Sequence, residues 1–419
     1  MFNPWPLVWA DLRRTRTGTL AIVSLVALAV GLGVAVSAQE RALREGSARA
    51  ADAFDLLIGS RGSEVQLVLS TVYLQPAAID LIPGRILVDL GVDPGVAYAA
   101  PIGFGDSWRG HPIVGSTADF VTRRGKVALA AGRLFQRLDE VVVGADVPLA
   151  IGQRLTPTHG QVETEDEDHH DIAYGVVGRL PHQGTPWDRA IILPIETVWW
   201  VHGLPVGHVL DAARVWPAGA AGEPDLGAVP IGPPWQVEEL PGVPAVVVKP
   251  TSFAAAYALR SQYRSAERGT MAVFPAEVLV QLYARLGDVR DLVAIIAVLT
   301  QVLVIGAVLL AVLASLAQRR RLIGVVRALG ASRGFVFAAV WLNVAVTLLT
   351  GALAGLLLGW AGAHAVSAAL ARRTNIDLPV RITGAELELV AIIVVVAMAL
   401  AVLPAALAYR GSVAAALRA

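Results

Sequence analysis

The 419-residue chain contains no cysteine, which excludes disulfides, thiolate metal sites and cysteine nucleophiles. Lysine is nearly absent, with only Lys126 and Lys249, so arginine carries the positive charge. Charged residues make up 16% of the chain, and its 34 basic and 34 acidic side chains cancel. That balance leaves no electrostatic signature of nucleic acid or of an acidic substrate. There is no G-x-x-x-x-G-K-[ST] phosphate loop, since Arg124-Gly125-Lys126-Val127 lacks both the leading glycine and the hydroxyl residue. Without a phosphate cradle the chain cannot power itself. It also has no G-x-S-x-G elbow and no H-E-x-x-H helix. His111 beside Pro112, His202 after Trp199-Trp200-Val201, and His364 read as structural or surface residues, so an autonomous enzyme has no catalytic constellation to use.

What the chain has in abundance is apolar sequence. Hydrophobic residues reach 55% and mean hydropathy is +0.60. Four runs, Thr19–Ala38, Leu292–Leu316, Phe335–Ala361 and Leu387–Ala408, match the roughly 20 apolar residues that a helix needs to cross a bilayer. The fold class expected is an α-helical membrane protein with four transmembrane helices, one plus three, and a large mixed α/β extracytoplasmic domain inserted between spans 1 and 2. Arg13, Arg14 and Arg16 precede the first run, Arg319, Arg320, Arg321, Arg327 and Arg333 lie between the second and third, and Arg410 and Arg418 follow the fourth. The positive-inside rule puts these three clusters, and hence both termini, in the cytoplasm, outvoting Arg372, Arg373 and Arg381 in the last outer loop. A cleaved signal peptide is the alternative for the first run, but its apolar stretch is long and Val36-Ser37-Ala38 is a weak cleavage cue. The stretch Trp5–Arg14 reads as an amphipathic helix on the inner membrane surface, with tryptophans for the headgroup boundary and arginines for anionic lipid.

The domains expected are 1–39, an amphipathic helix and first span, 40–286, an extracytoplasmic α/β domain with a stalk, and 287–419, three C-terminal spans with a cytoplasmic loop at 318–334. Within the outer domain, Ile86-Leu87-Val88, Val96-Ala97-Tyr98, Ile113-Val114, Glu140–Val143 and Tyr174–Gly178 read as strands. Ala48–Ser70 begins helix-compatible and is broken by Gly59-Ser60-Arg61-Gly62. Residues Asp211–Pro244 read as a loop-rich excursion, and Thr251–Leu286 as a mainly helical stalk interrupted near Gly269 and Pro275. The triplet Trp187-Asp188-Arg189 is an exposed-turn candidate for partner contact, with a structural Asp–Arg pair as its ordinary explanation.

The run Arg319–Ser332 is a basic, amphipathic connector, and Gly351, Gly355 and Gly359 follow at i, i+4, i+8 in the third span. Small residues at that spacing let helices pack closely in lipid. Each feature has a plain alternative, topology anchoring for the arginines and routine packing for the glycines. Together with the one-plus-three layout, Ala131–Phe135, Val142-Val143-Gly144, Val176-Val177-Gly178 and the ending Pro404-Ala405, Arg410 and Leu417-Arg418, the chain resembles FtsX/MacB-like permease subunits of ABC transporters. Two positions depart from that family: Leu322 stands where a glutamate is usual before the Ile-Gly pair, and Asn343 where an acidic residue is frequent.

The resemblance implies a non-catalytic subunit, located in the cell (inner) membrane, that works as a dimer with a second permease copy. ATP and magnesium would be bound by a separate cytoplasmic ATPase, and an extracytoplasmic binding or adaptor protein is a further possible partner. The contact with the ATPase is expected at Arg319, Arg320, Arg321, Ile323, Gly324, Arg327, Ala328 and Gly330, and helix packing at Gly351, Gly355 and Gly359. Export, extraction, metal-linked transport and regulation of a cell-wall hydrolase all stay open. So does an ATP-independent membrane sensor or scaffold. His159, His169, His170, Asp171 and His182 lie in or beside an acidic stretch suited to zinc, although a solvated hairpin tip explains the same charges.

Overall fold

The computed structural model describes residues 3–159, 173–216, 224–264, 269–282, 325–374 and 376–402, with isolated positions at 284, 406 and between 295 and 310. These form two compact units. A helical unit takes 1–45, 286–370 and 378–419, and a sheet unit takes 46–285 and 371–377.

In the sheet unit, eleven strands join in one sheet: β1 (Leu56–Ser60), β2 (Val96–Trp108), β3 (His111–Ser116), β4 (Ala131–Gly132), β5 (Glu140–Val143), β6 (Arg154–Leu155), β7 (Thr158–His159), β8 (Tyr174–Arg179), β9 (Ile191–Pro194), β10 (Ala245–Pro250) and β11 (Thr270–Val273). The main path runs β11-β1-β10-β2-β3-β9-β5-β8-β4, with β6 on β8 and β7 on β2. The pairs β3–β9 and β5–β8 are parallel and the other pairs antiparallel.

Successive side chains on a strand face opposite ways, and this sequence places apolar residues on both sides. Leu57, Val247 and Val273 pack with the helix Glu64–Tyr73 on one face. Leu56, Ile58, Val246 and Val248 pack on the other, with the helices Arg85–Gly91 and Phe253–Tyr263. A ring cluster of Phe54, Phe120 and Trp187 fills the first core, with the closest centroids 4.8 Å apart. Two expectations fail here. Ile86-Leu87-Val88 lies in the helix Arg85–Gly91, because Ile86, Leu87 and Leu90 at helical spacing cover the sheet. The expected helical stalk is divided: its helix stops at Tyr263, and Thr270–Val273 joins the sheet edge beside β1. Those four residues are buried on both faces, so burial overrode the helical pattern.

The helical unit contains α1 (Trp5–Arg14), most of α2 (Arg16–Ala51), α3 (Arg333–Thr374, which continues past the unit's edge) and α4 (Gly384–Leu400). In α1, Trp5 and Trp9 are exposed, Val8 is buried, and the Arg13 guanidinium lies 4.9 Å from the Trp9 ring centre. Among the described residues, two helices, Arg16–Ala51 and Arg333–Arg372, are long and apolar enough to cross a membrane. The fourth expected run overlaps α4, and most of Leu292–Leu316 lies outside the described residues.

Helices α2 and α3 meet backbone to backbone. A Cβ added at Gly351 would come 2.7 Å from Val26 Cβ, one at Gly355 2.7 Å from Val30 Cβ, and one at Gly359 2.6 Å from the Gly31 carbonyl oxygen. Such spacings leave no room for any side chain. At the other end of the contact, α4 opens with a capping box in which the Thr383 amide donates to Glu386 at 2.9 Å. Glu386, fully buried, also receives Ser37 Oγ at 2.8 Å and Arg41 at 2.6 Å from α2.

Replacing Gly355 with leucine should destabilise the detergent-solubilised protein by about 1–3 kcal/mol or more, because the new side chain meets backbone. Gly362, with open space around its Cβ position, is the control. Thermal melts should show Gly355→Leu well below wild type and Gly362→Leu close to it; equal melts for the two variants would remove the close approach. In the sheet unit, burial pushes the Glu196 carboxyl up to about 6, while hydrogen bonds from Trp235 Nε1 at 2.7 Å and the Gly232 amide at 2.8 Å oppose the shift. A folded-state value above the ordinary 4.5 means stability is fully present below pH 4.5 and declines as pH rises through 6, by about 2 kcal/mol. The difference in unfolding free energy between wild type and Glu196→Gln should therefore change across pH 4.5–6.5, and a constant difference would contradict the assignment.

Candidate functional site

Two places in the structure concentrate features that packing alone does not require. The first is the connector leading into α3. Residues 325–328 are helical, and the helix is closed by bonds from the Gly330 amide to the Arg327 carbonyl (3.1 Å) and from the Ala331 amide to the Val326 carbonyl (3.2 Å). This double closure needs a left-handed residue, supplied by Gly330 at φ +100°. Ser332 then caps the next helix, its Oγ accepting from the Phe335 amide at 3.2 Å. The turn presents Val325 and Leu329 outward, and Leu329 is 83% exposed. Arg319, Arg320, Arg321, Ile323 and Gly324 lie outside the described residues; Arg327, Ala328 and Gly330 form the turn itself.

Asn343 Nδ2 donates to the Asp11 carboxylate of α1 at 2.8 Å, which brings an acidic group from another helix to this position. Gly351, Gly355 and Gly359 line the α2 contact described above.

The second place is in the sheet unit, where three loops converge. After β5 the chain turns at Gly144, whose Cβ position would be 2.3 Å from the Asp188 carbonyl oxygen, so only glycine lets the two segments touch. Arg179 Nη1 then donates to the carbonyls of Gly144, Ala145 and Val147 at 3.2, 2.8 and 3.1 Å, holding the loop that carries Asp146. The Asp146 amide donates to the Asp188 carbonyl at 2.8 Å. After β8, Gly184 takes φ +68°, and its Cβ position would lie 2.8 Å from Asp377 Oδ2. The Asp377 amide in turn donates to the Gly184 carbonyl at 3.1 Å.

His182 stands where these loops meet. Its Nδ1 is 3.2 Å from Asp188 Oδ2 and 3.6 Å from Asp146 Oδ1, and its Nε2 is 3.0 Å from Asp377 Oδ2. The hydrogen bond to Asp377 raises the imidazole pKa above its usual value; partial burial opposes this, and the charges of Asp188, Asp377 and Asp146 add to it. Asp188 is 2% exposed and accepts from the amides of Gln183 (2.9 Å), Gly184 (2.6 Å) and Thr185 (3.1 Å).

Of the metal candidates read from the sequence, the structure brings His182 into this cluster. His159 ends β7 opposite Asp106 of β2, and His169, His170 and Asp171 lie outside the described residues. The triplet Trp187-Asp188-Arg189 is buried at its first two positions, which corrects its reading as an exposed turn, and Asp188 binds backbone amides rather than Arg189. Sequence reasoning missed Asp146 and Asp377. A turn signal just after a buried strand pointed weakly to Asp146; nothing local marks Asp377, which is 195 positions from His182.

Residues 294–414 match the family model of the FtsX-like permease C-terminal domain. No curated protein matches the chain. Among solved structures, the periplasmic region of MacB from Actinobacillus actinomycetemcomitans is 11% identical, with a TM-score of 0.33 over 56% of this chain and 95% of that one. The extracellular domain of the noncanonic ABC-type transporter YknZ from Gram-positive bacteria is 10% identical, with a TM-score of 0.28 over 52% of this chain and 98% of that one. The similarity to the FtsX-like permease C-terminal domain is thus confined to residues 294–414.

Proposed function

We propose that the chain is the membrane-spanning permease subunit of an ABC transporter, with ATP hydrolysed by a separate cytoplasmic subunit. The observation that carries this reading is the permease domain at 294–414. The built turn before α3 supports it: a Gly330-closed, Ser332-capped element leaves Leu329 exposed, and that apolar side chain suits a partner's surface. In this reading four spans cross the membrane, both termini and the connector face the cytoplasm, and the sheet unit lies outside.

Two copies of the chain work together. Closing of the ATPase pair on ATP moves the helices, and α2, which runs unbroken from Arg16 into the sheet unit at Gly46–Ala51, transmits the movement outward. The chain itself performs no chemistry; its work is export or extraction of a substrate at the outer membrane face.

Purification of the tagged full-length protein from its native membrane in mild detergent tests this. A cytoplasmic ATPase should accompany the wild type and fall at least tenfold with Leu329→Asp or Arg327→Glu. Recovery of the chain without any ATPase, at normal expression, would replace this reading with that of an ATP-independent sensor or scaffold.

A further inference from the structure

In the cluster at His182, Asp188 is served by three backbone amides, whereas among the described residues the imidazole is the one side-chain partner of Asp146. Two carboxylates, Asp146 and Asp188, face the same ring nitrogen, Nδ1. One N–H satisfies one of them, and the other ring nitrogen is already engaged by Asp377. Three carboxylates surround one imidazole, so the side-chain charge of the cluster is net negative even when the ring is protonated, with Asp188 further stabilised by its amides. Among the described residues, His182 is the only cationic side chain within ion-pair distance of Asp146, Asp188 or Asp377.

The same atoms are spaced as metal ligands. Nδ1 of His182 and one oxygen each of Asp146 and Asp188 lie within 4.8 Å of one another. Ligand atoms about 2.0–2.2 Å from a tetrahedral zinc are separated by roughly 3.3 Å, close to the 3.2 and 3.6 Å seen from Nδ1. When Nδ1 binds a metal, the remaining proton sits on Nε2, where Asp377 accepts it. This is the carboxylate–histidine–metal relay that fixes ring orientation in metal sites.

We propose that Asp146, His182 and Asp188 form a three-ligand site for a divalent transition-metal cation of the zinc type, with Asp377 as the positioning residue behind the imidazole. Three protein ligands leave a fourth position for water or a carried ligand. Asp188 is fixed by its backbone amides, whereas Asp146 and His182 are exposed, so the cation reaches the site from solvent. Because Arg179 and the two tight glycines hold the loops, the ligands are arranged before the metal arrives. The site stands independently of the ATPase contact proposed above.

The test is calorimetric titration of zinc chloride into the full-length protein in detergent, with zinc-edge X-ray absorption on the loaded sample. Wild type should bind zinc at this site through nitrogen and oxygen only, with one imidazole in the shell. His182→Gln and Asp146→Asn should each weaken binding at least tenfold or lower the stoichiometry by one. Asp377→Asn should weaken it about tenfold, as loss of a partner behind a ligand does. The double variant His169→Ala/His170→Ala should leave the site unchanged. Both exposed-residue variants can be checked for folding by thermal melting, and Asp146→Asn provides the test if His182→Gln misfolds. Unchanged zinc affinity and stoichiometry in folded Asp146→Asn and His182→Gln would overturn the proposal, as would zinc binding lost only with His169 and His170.

Discussion

The helical unit depends on the contact between α2 and α3, in which two backbones approach with no side chain between them. In lipid there is little hydrophobic gain from burying one apolar helix against another, so association rests on close packing and on the few polar bonds available. Gly31, Gly351, Gly355 and Gly359 supply the first, and the valines at 26, 30 and 34 fill the grooves they leave. Ser37, Arg41, Thr383 and Glu386 supply the second, tying α4 to α2 through a buried carboxylate that has every partner it needs. Following one another along α2, at residues 26–34 and 37–41, these two devices tie α2 to α3 and to α4.

The sheet unit solves a different problem, since its polar groups are buried among apolar ones. The buried carboxylates among its described residues are each matched to donors: Glu140 takes both arms of Arg133 and the Gln136 amide, Glu196 takes an indole and an amide, and Asp188 takes three amides. Leaving such groups unpaired would cost more than the bonds return. The His182 cluster departs from that pattern at Asp146 and Asp377, exposed carboxylates that share one imidazole with Asp188. Departures of this kind are expected where a fold serves a ligand rather than itself.

The sequence alone pointed to membrane-length helices and a mixed α/β domain between them. Membrane-length apolar runs, the arginine clusters beside them and the absence of a phosphate loop all report on local composition, which is why they are readable without a fold. The glycine spacing in α3 was equally legible, because one face of a helix follows from the 3.6-residue repeat. Strands such as Glu140–Val143 and Tyr174–Arg179 announced themselves by β-branched runs ending at glycine. Local pattern failed where burial decided the outcome: Arg85–Gly91 became a helix because it covers a sheet, and Thr270–Val273 became a strand because an edge beside β1 needed pairing. His182 was among the metal candidates read from the sequence, but only tertiary structure assembles the cluster around it. Asp146 and Asp188 reach His182 from loops after two different strands and Asp377 from a segment 195 positions later, and only the folded chain, held at Gly144 and Gly184 by close backbone contacts, brings them together.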